Sequence, residues 1–396
     1  MPLSITYQSL AIPFKVKFKH SSAARSTSES LWVQVSDGFT TGYGEGCPRD
    51  YVTGENLKGS LEWIGSQLPT WKQKITTPQS LIEWIYDNEP VIDVNPAAWC
   101  AVELAFWDFF AKSSGVSVEK LLGIPDRHKN FFYTAVLSDD EPAIFEQSFK
   151  KYLRMGFRDF KIKVGSTPTN TKDPAKLHQI HQILQAETHS GFFANPLPKI
   201  LNFFGPRTQV PSAGFRVRFD ANNAFKTVHE VYSAFKNSPF PIAGLEEPVA
   251  ARDSAGLSRI STELDCPIIL DESLTKLSDL EIYSQLPGKW IPNIRVSKMG
   301  GLLRSLRVLE YAHKRNWPVV IGAQVGETSL LSRAALSVAL KALSLSPSTL
   351  FAQEGAFGTF LLSRDVVKPE VRFGLAGRLR ADSWTSQPGW GLGAHL

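Results

Sequence analysis

Four short apolar runs, each carrying an acid or a lysine at its end, recur at a near-constant step through the middle of the chain. They are Arg218-Phe-Asp-Ala-Asn-Asn223, Leu245-Glu-Glu-Pro248, Ile269-Leu-Asp-Glu-Ser273 and Asn293-Ile-Arg-Val-Ser-Lys-Met-Gly-Gly301. Asp220, Glu246, Asp271 and Lys298 stand 26, 25 and 27 residues apart. One strand, one helix and two loops take about 30 residues, the repeat of an eight-fold β/α barrel. In such barrels the chemistry sits at the C-terminal ends of the strands, so these four residues are expected to converge on one mouth. Three carboxylates without a histidine or cysteine suit a hard, oxygen-seeking cation such as Mg²⁺. The plainer alternative is that each acid caps the helix that follows it.

A second pair of candidates precedes these runs. In Phe157-Arg-Asp-Phe-Lys-Ile-Lys-Val-Gly165, Lys161 and Lys163 are two apart, so on a strand both point to one side. Ile162 and Val164 suit the helix-facing side, which turns both lysines into the barrel. Two neighbouring buried cations are expected to lower each other's pKa, and burial acts the same way.

The 396 residues exceed what one barrel needs and leave room for a second domain. With 20% charged and 43% hydrophobic residues, the composition is that of a soluble globular protein. A net charge of +5 without a lysine- or arginine-rich run gives no support for nucleic-acid binding. No apolar run reaches the length of a membrane span, and no signal peptide is visible. Cys47, Cys100 and Cys266 are widely spaced, which predicts reduced thiols and a cytoplasmic setting.

Residues 1 to about 55 read as strands, with Leu31-Trp-Val-Gln-Val35 alternating and Asp37-Gly38 as a hairpin signal. Thr41-Gly-Tyr-Gly-Glu-Gly46 lacks the third glycine of a dinucleotide fingerprint. The basic stretch Lys15 to Arg25 reads either as the solvent face of an edge strand or as a cover over an anionic substrate. Residues 56–122 read as helical, with Ala97 to Lys112 apolar nearly all round and so buried. The barrel is expected to begin near Phe131–Val136. Pro174 to Ala186 reads as a helix, and Gly191 to Gly214 as an inserted loop whose phenylalanines face a neighbouring subunit or pack locally. Pro318–Gln324 and Leu350–Gln353 read as the last strands. The tail from Val366 is expected to return over the first domain.

The motifs Lys161-Ile-Lys163, Asp220-Ala-Asn222, Glu246-Glu-Pro248, Asp271-Glu-Ser273 and Lys298-Met-Gly-Gly301, with the buried helix and the Gly42-Tyr-Gly-Glu45 strand, give the chain a resemblance. It resembles the enolase superfamily, in the subgroup of muconate-lactonising enzymes, o-succinylbenzoate synthases and dipeptide epimerases. The resemblance implies an α/β fold, a modified (β/α)7β TIM-type barrel over residues 126–365. It also implies an N-terminal α+β capping domain over residues 1–125, joined by the tail 366–396. It implies Asp220, Glu246 and Asp271 as ligands of Mg²⁺, with Mn²⁺ as the substitute. Lys163 and Lys298 become the acid/base pair, and Lys161 the partner of the substrate carboxylate. Arg25, Tyr51 and Glu354 are further expected substrate contacts. The implied reaction is removal of the proton α to a carboxylate, giving a metal-stabilised enolate. The expected enzyme is a racemase or epimerase of an amino-acid derivative, or a cycloisomerase or syn-dehydratase. A non-catalytic binding protein on the same fold is the remaining reading. The expected partners are a small carboxylate substrate and a second copy of the chain, with no nucleic acid and no membrane. One departure stands out: dipeptide epimerases end the last strand in an Asp-x-Asp pair that holds the substrate ammonium, whereas this chain has Gln353-Glu-Gly-Ala356.

Overall fold

The computed structural model of the chain describes residues 3–19, 24–125, 130–165, 172–189, 214–355, 358–380 and 391–393. The expected inserted loop lies outside the described residues except for Gly214.

Eight parallel strands follow one another in chain order around a curled sheet. They are Ala135–Leu137, Asp159–Lys163, Arg216–Asp220, Gly244–Glu246, Ile268–Leu270, Trp290–Ile294, Val319–Ile321 and Leu350–Gln353. The Thr134 amide donates to the Gln353 carbonyl at 2.8 Å, which brings the last strand beside the start of the first. Among the described residues seven longer helices separate the eight strands, the (β/α)7β order that the resemblance implies. A parallel sheet covered by helices has two buried faces, which explains runs such as Ile268-Ile-Leu270 that are apolar throughout.

Local signals set the helix boundaries. Thr227, Asp253 and Thr328 each accept a hydrogen bond from a first-turn amide of the helices Val228–Phe235, Ser254–Glu263 and Ser329–Leu345. In helix Pro142–Arg154 the proline sits in the first turn, where its missing N–H costs nothing, and Phe145, Phe149 and Leu153 form the buried stripe. Helix Ser329–Leu345 is buried almost all round, because the N-terminal region covers the side turned away from the sheet.

That region is built on the antiparallel strands Ser4–Leu10, Ser30–Ser36 and Thr41–Gly46. The turn at Asp37–Gly38 is closed by the Asp37 carboxylate, which accepts from the Phe39 and Thr40 amides at 2.9 and 2.8 Å. The glycine-rich strand is a helix seat. A Cβ at Gly42, Gly44 or Gly46 would lie 2.2, 1.9 or 2.0 Å from the carbonyl oxygens of Ala105, Ala101 and Ala97. Helix Pro96–Ser113 can therefore lie backbone to backbone on this strand, and it is buried from Pro96 to Ala111. Beneath it Trp71, Trp84 and Trp99 pack together, with the Trp84 and Trp99 rings stacked at 4.1 Å.

One expectation shifts. The stretch Phe131–Val136 is two elements: Asn130–Phe132 pairs antiparallel with Arg378–Arg380, and the parallel sheet starts only at Ala135. Of the tail, Gly391–Gly393 is described beyond Arg380, and there the Leu392 amide donates to Asp108 on the buried helix at 2.7 Å. The three cysteines are free and buried. Among the described residues no helix is long and apolar enough to cross a membrane.

Candidate active site

The register of the strands assembles the site. Lys163 is level with Asp220, and Asp220 with Glu246, across three adjacent strands. Lys161, one alternation earlier, stands opposite Arg218. Lys161 and Lys163 share a side of their strand while Ile162 and Val164 are buried on the other, as the two-residue period requires.

Each lysine finds an acid on a neighbouring strand. The Lys163 ammonium donates to Asp220 Oδ2 and to Asn222 Oδ1, both at 2.6 Å. Lys161 Nζ lies 3.1 Å from both oxygens of Glu246, 3.1 Å from Asp220 Oδ2 and 2.7 Å from Glu354 Oε2. Lys298 stands on the short helix Val296–Met299, just past the sixth strand. It donates to Asp271 Oδ1 at 2.8 Å, to the Asp271 carbonyl at 2.7 Å and to the Asn293 carbonyl at 2.9 Å. Asn293 in turn donates to Glu246 at 3.2 Å. The result is one chain of contacts with Lys163 and Asp220 at one end, Lys161 and Glu246 in the middle, and Asp271 and Lys298 at the other. The alternative that these acids cap helices does not describe them: each accepts from a cationic side chain of another element.

The electrostatics differ along this chain. Burial pushes the Lys298 ammonium toward neutrality and Arg295 pushes with it, bringing its pKa down to about 7. Lys161 goes the other way. Burial opposes its charge, but Glu246, Glu354 and Asp220 together hold its pKa above the ordinary lysine value. The expectation that the two strand lysines depress each other thus fails for Lys161, because acids stand between the cations. Burial works against the Asp220 carboxylate, yet Lys163 and Lys161 keep its pKa below the ordinary value. Glu246 is raised by burial and by its neighbour Asp220.

The last strand places Glu354 inside this network. Its Oε1 accepts from Arg218 at 2.8 Å while its Oε2 accepts from Lys161. Arg218 is wholly buried and donates also to Thr134 and Asp159. Of the remaining expected contacts, Tyr51 stands on the turn Asp50–Thr53. Arg25 belongs to the strand Ala24–Thr27, and its side chain lies outside the described residues.

Four supporting residues escape a reading by motif. Arg295 reaches Asp271 Oδ2 and, at 3.1 Å, Gln324. Glu247 accepts from the Asp271 and Ser273 amides at 2.6 and 2.8 Å, which aims the Asp271 loop. Its backbone is held at a φ of 39°, an uncommon conformation for a residue with a side chain. Arg218 and Asn293 complete the set. Strand alternation was the available signal for two of them: Arg218 is two residues before Asp220, and Arg295 two after Asn293.

The fold and site define a capped (β/α)7β barrel with lysines and carboxylates interleaved at the strand ends. A family model described as "Enolase C-terminal domain-like" matches residues 206–394. The hydrophobic dipeptide epimerase of Enterococcus faecalis is 27% identical over 350 residues, 86% of this chain and 88% of that protein. The N-succinyl-L-Arg/Lys racemase of Bacillus cereus is 25% identical, covering 85% of this chain and 83% of that one. In fold, the chain superposes on the E. faecalis dipeptide epimerase complexed with Mg and L-Leu-L-Tyr with a TM-score of 0.79. That match is 23% identical over the full length of both chains. These likenesses are to the enolase superfamily, in its subgroup of mandelate racemase and muconate-lactonising enzymes.

Proposed function

We propose that this protein is an isomerase that removes and returns the proton α to a carboxylate, as a racemase or epimerase of an amino-acid derivative. The observation that carries the reading is the placing of two lysines at the two ends of one buried carboxylate network, Lys163 on Asp220 and Lys298 on Asp271. A proton next to a carboxylate is hard to remove because negative charge accumulates on the product. Lys161, kept cationic by three acids, supplies fixed positive charge where that negative charge develops. Lys298, with a pKa of about 7, is near the optimum for a general base at neutral pH. Removal by one lysine and return by the other inverts the carbon, and the names of the epimerase and racemase relatives agree with this outcome.

Asp220, Glu246 and Asp271 are the residues that would hold a divalent cation. The donor set fits one: three buried carboxylates from adjacent strand ends, with oxygen donors only, suit Mg²⁺ and also Mn²⁺. Among the described residues no group of three acids or other ligands is already gathered about one point. Their oxygens instead accept from Lys161, Lys163, Arg295 and Lys298, so metal entry requires some of these cations to yield. A bound Mg²⁺ would add Lewis-acid stabilisation of charge on the substrate carboxylate.

A second reading has its own support. The Lys163 side chain is 26% exposed and that of Lys298 is fully buried. Unequal surroundings suit a reaction with one base and one idle lysine, as in cycloisomerisation or syn-elimination. The test is deuterium incorporation into candidate carboxylates, among them N-acylated amino acids and dipeptides, in ²H₂O with added Mg²⁺. Exchange with inversion supports the epimerase. Exchange confined to one stereoisomer, with ring closure or loss of water, supports the second reading. No exchange into any candidate, with Mg²⁺ bound, argues for the binding protein.

A further inference from the structure

Arg49 is fully buried, and its terminal nitrogens donate only to backbone carbonyls. Nη1 donates to Pro48 O at 2.7 Å and Glu29 O at 3.1 Å. Nη2 donates to Val325 O at 2.6 Å and Ser28 O at 3.0 Å. Its Nε has no hydrogen-bond partner among the described residues. Burying a guanidinium on neutral acceptors is costly, and the planar fork is what a chain gains in exchange: four carbonyls fixed at set angles by one rigid group.

Those carbonyls belong to three separate segments. Ser28 and Glu29 close the hairpin formed by Pro13–Lys19 and Ala24–Thr27. Pro48 leads into the turn Asp50–Thr53 that carries Tyr51. Val325 lies in the loop beyond the seventh strand, on the face of the barrel where the lysines and carboxylates converge. The packing agrees. A Cβ on Gly326, whose φ is +86°, would lie 2.9 Å from the Phe14 ring and 3.1 Å from Ser28 Cα. Phe14 also bridges to Leu362, and the Ser363 amide donates to Pro13 O at 2.8 Å, both past the eighth strand. The nearby Cys47 amide donates to the hydroxyl of Ser297, the residue before Lys298, at 2.8 Å.

We propose that Arg49 is a positioning residue for substrate binding. It locks the hairpin root and the Asp50–Thr53 turn to the loop beyond the seventh strand, so that the three form one wall of the mouth. Arg49 touches neither substrate nor the reacting atoms; it acts through the segments it joins. The kinetic part of this inference rests on the site proposed above, and the anchoring part does not.

The test compares wild type with Arg49→Lys, which keeps the charge but replaces the fork by a point donor, and with Arg49→Met. Backbone hydrogen exchange read by mass spectrometry is expected to quicken by about tenfold or more in peptides covering 24–29 and 322–328, with helix Pro96–Ser113 unchanged. With a carboxylate that wild type exchanges, KM is expected to rise about tenfold while kcat stays within about threefold. Unchanged protection at 24–29 and 322–328, or equal loss of protection across the whole chain in Arg49→Lys, overturns the anchor. A fall in kcat at constant KM overturns the positioning role. If wild type exchanges no carboxylate, the proposed function fails, and the hydrogen-exchange result still decides the anchor.

Discussion

Two groups of buried carboxylates can be set side by side, one where the N-terminal region meets the barrel and one at the barrel mouth. At the junction, Glu45 accepts from the Thr328 amide and hydroxyl and from the Leu331 amide, capping helix Ser329–Leu345 from across the interface. Glu103 accepts from the Leu303 amide and the Trp107 indole. At the mouth, Asp220, Asp271 and Glu354 accept from ammonium and guanidinium groups instead. The consequence is a difference in charge state at Asp220 and Glu354, though Glu246 at the mouth is raised as the junction carboxylates are. Burial outweighs the dipoles at the junction and raises Glu45 to about 8 and Glu103 to about 7. At the mouth burial acts equally, but Lys163 and Lys161 overcome it at Asp220, and Lys161 and Arg218 at Glu354. Dipoles hold these carboxylates, while the junction also carries the buried ion pair of Glu119 with Arg333 at 2.6 Å. Holding ionised groups in place for chemistry takes full charges.

The comparison is broken most directly at the mouth. Lys163→Ala and Lys298→Ala should each lower α-proton exchange by ~10²–10⁴-fold, the usual contribution of a positioned acid or base, while the melting transition stays cooperative. For an epimerase the two variants should fail from opposite stereoisomers. Wild-type exchange by either variant from every isomer would remove that lysine from the chemistry. Asp271→Asn should sharply weaken Mg²⁺ binding measured by calorimetry, and unchanged affinity would take Asp271 out of the ligand set.

At the junction the effect should fall on stability. Glu45→Ala leaves buried amides and a hydroxyl of the helix start without an acceptor, at ~1–3 kcal/mol in urea denaturation. The saturated exchange rate should stay near that of wild type. A collapse of kcat in this variant would mean that the junction and the mouth are not separable.

A further effect expected at the junction is a pH dependence. Because the Glu45 pKa is raised in the folded state, the folded chain binds more protons than the unfolded one between the ordinary glutamate value and about 8. Its contribution to stability is therefore full below that ordinary value and is lost as pH rises toward 8. Glu45→Gln should flatten the fall in stability between pH 5 and 8 relative to wild type. Parallel profiles would show that Glu45 does not titrate there.

Much of the site was legible because strands have a period of two and barrels a period of one strand and one helix. Those two regularities bring Lys161, Lys163, Asp220, Glu246, Asp271 and Lys298 to one mouth from sequence spacing alone. The same regularity left Glu354 ambiguous. One acid at a strand end can face a substrate or a neighbour, and only the three-dimensional arrangement puts both of its oxygens against Lys161 and Arg218. The glycines of strand Thr41–Gly46 were legible as not a nucleotide loop, but the helix whose carbonyls they admit lies more than fifty residues away in sequence.

The sequence by itself determined the parallel barrel, the placing of the candidate lysines and carboxylates at its strand ends and their order around the sheet, since each depends on local pattern and constant spacing. The tertiary structure alone decided the charge each group carries. Lys298 falls to about 7 because it is buried beside Arg295, and Lys161 rises because three acids from three other strands meet its ammonium. Such balances depend on distances across the fold, and a linear pattern contains none of them.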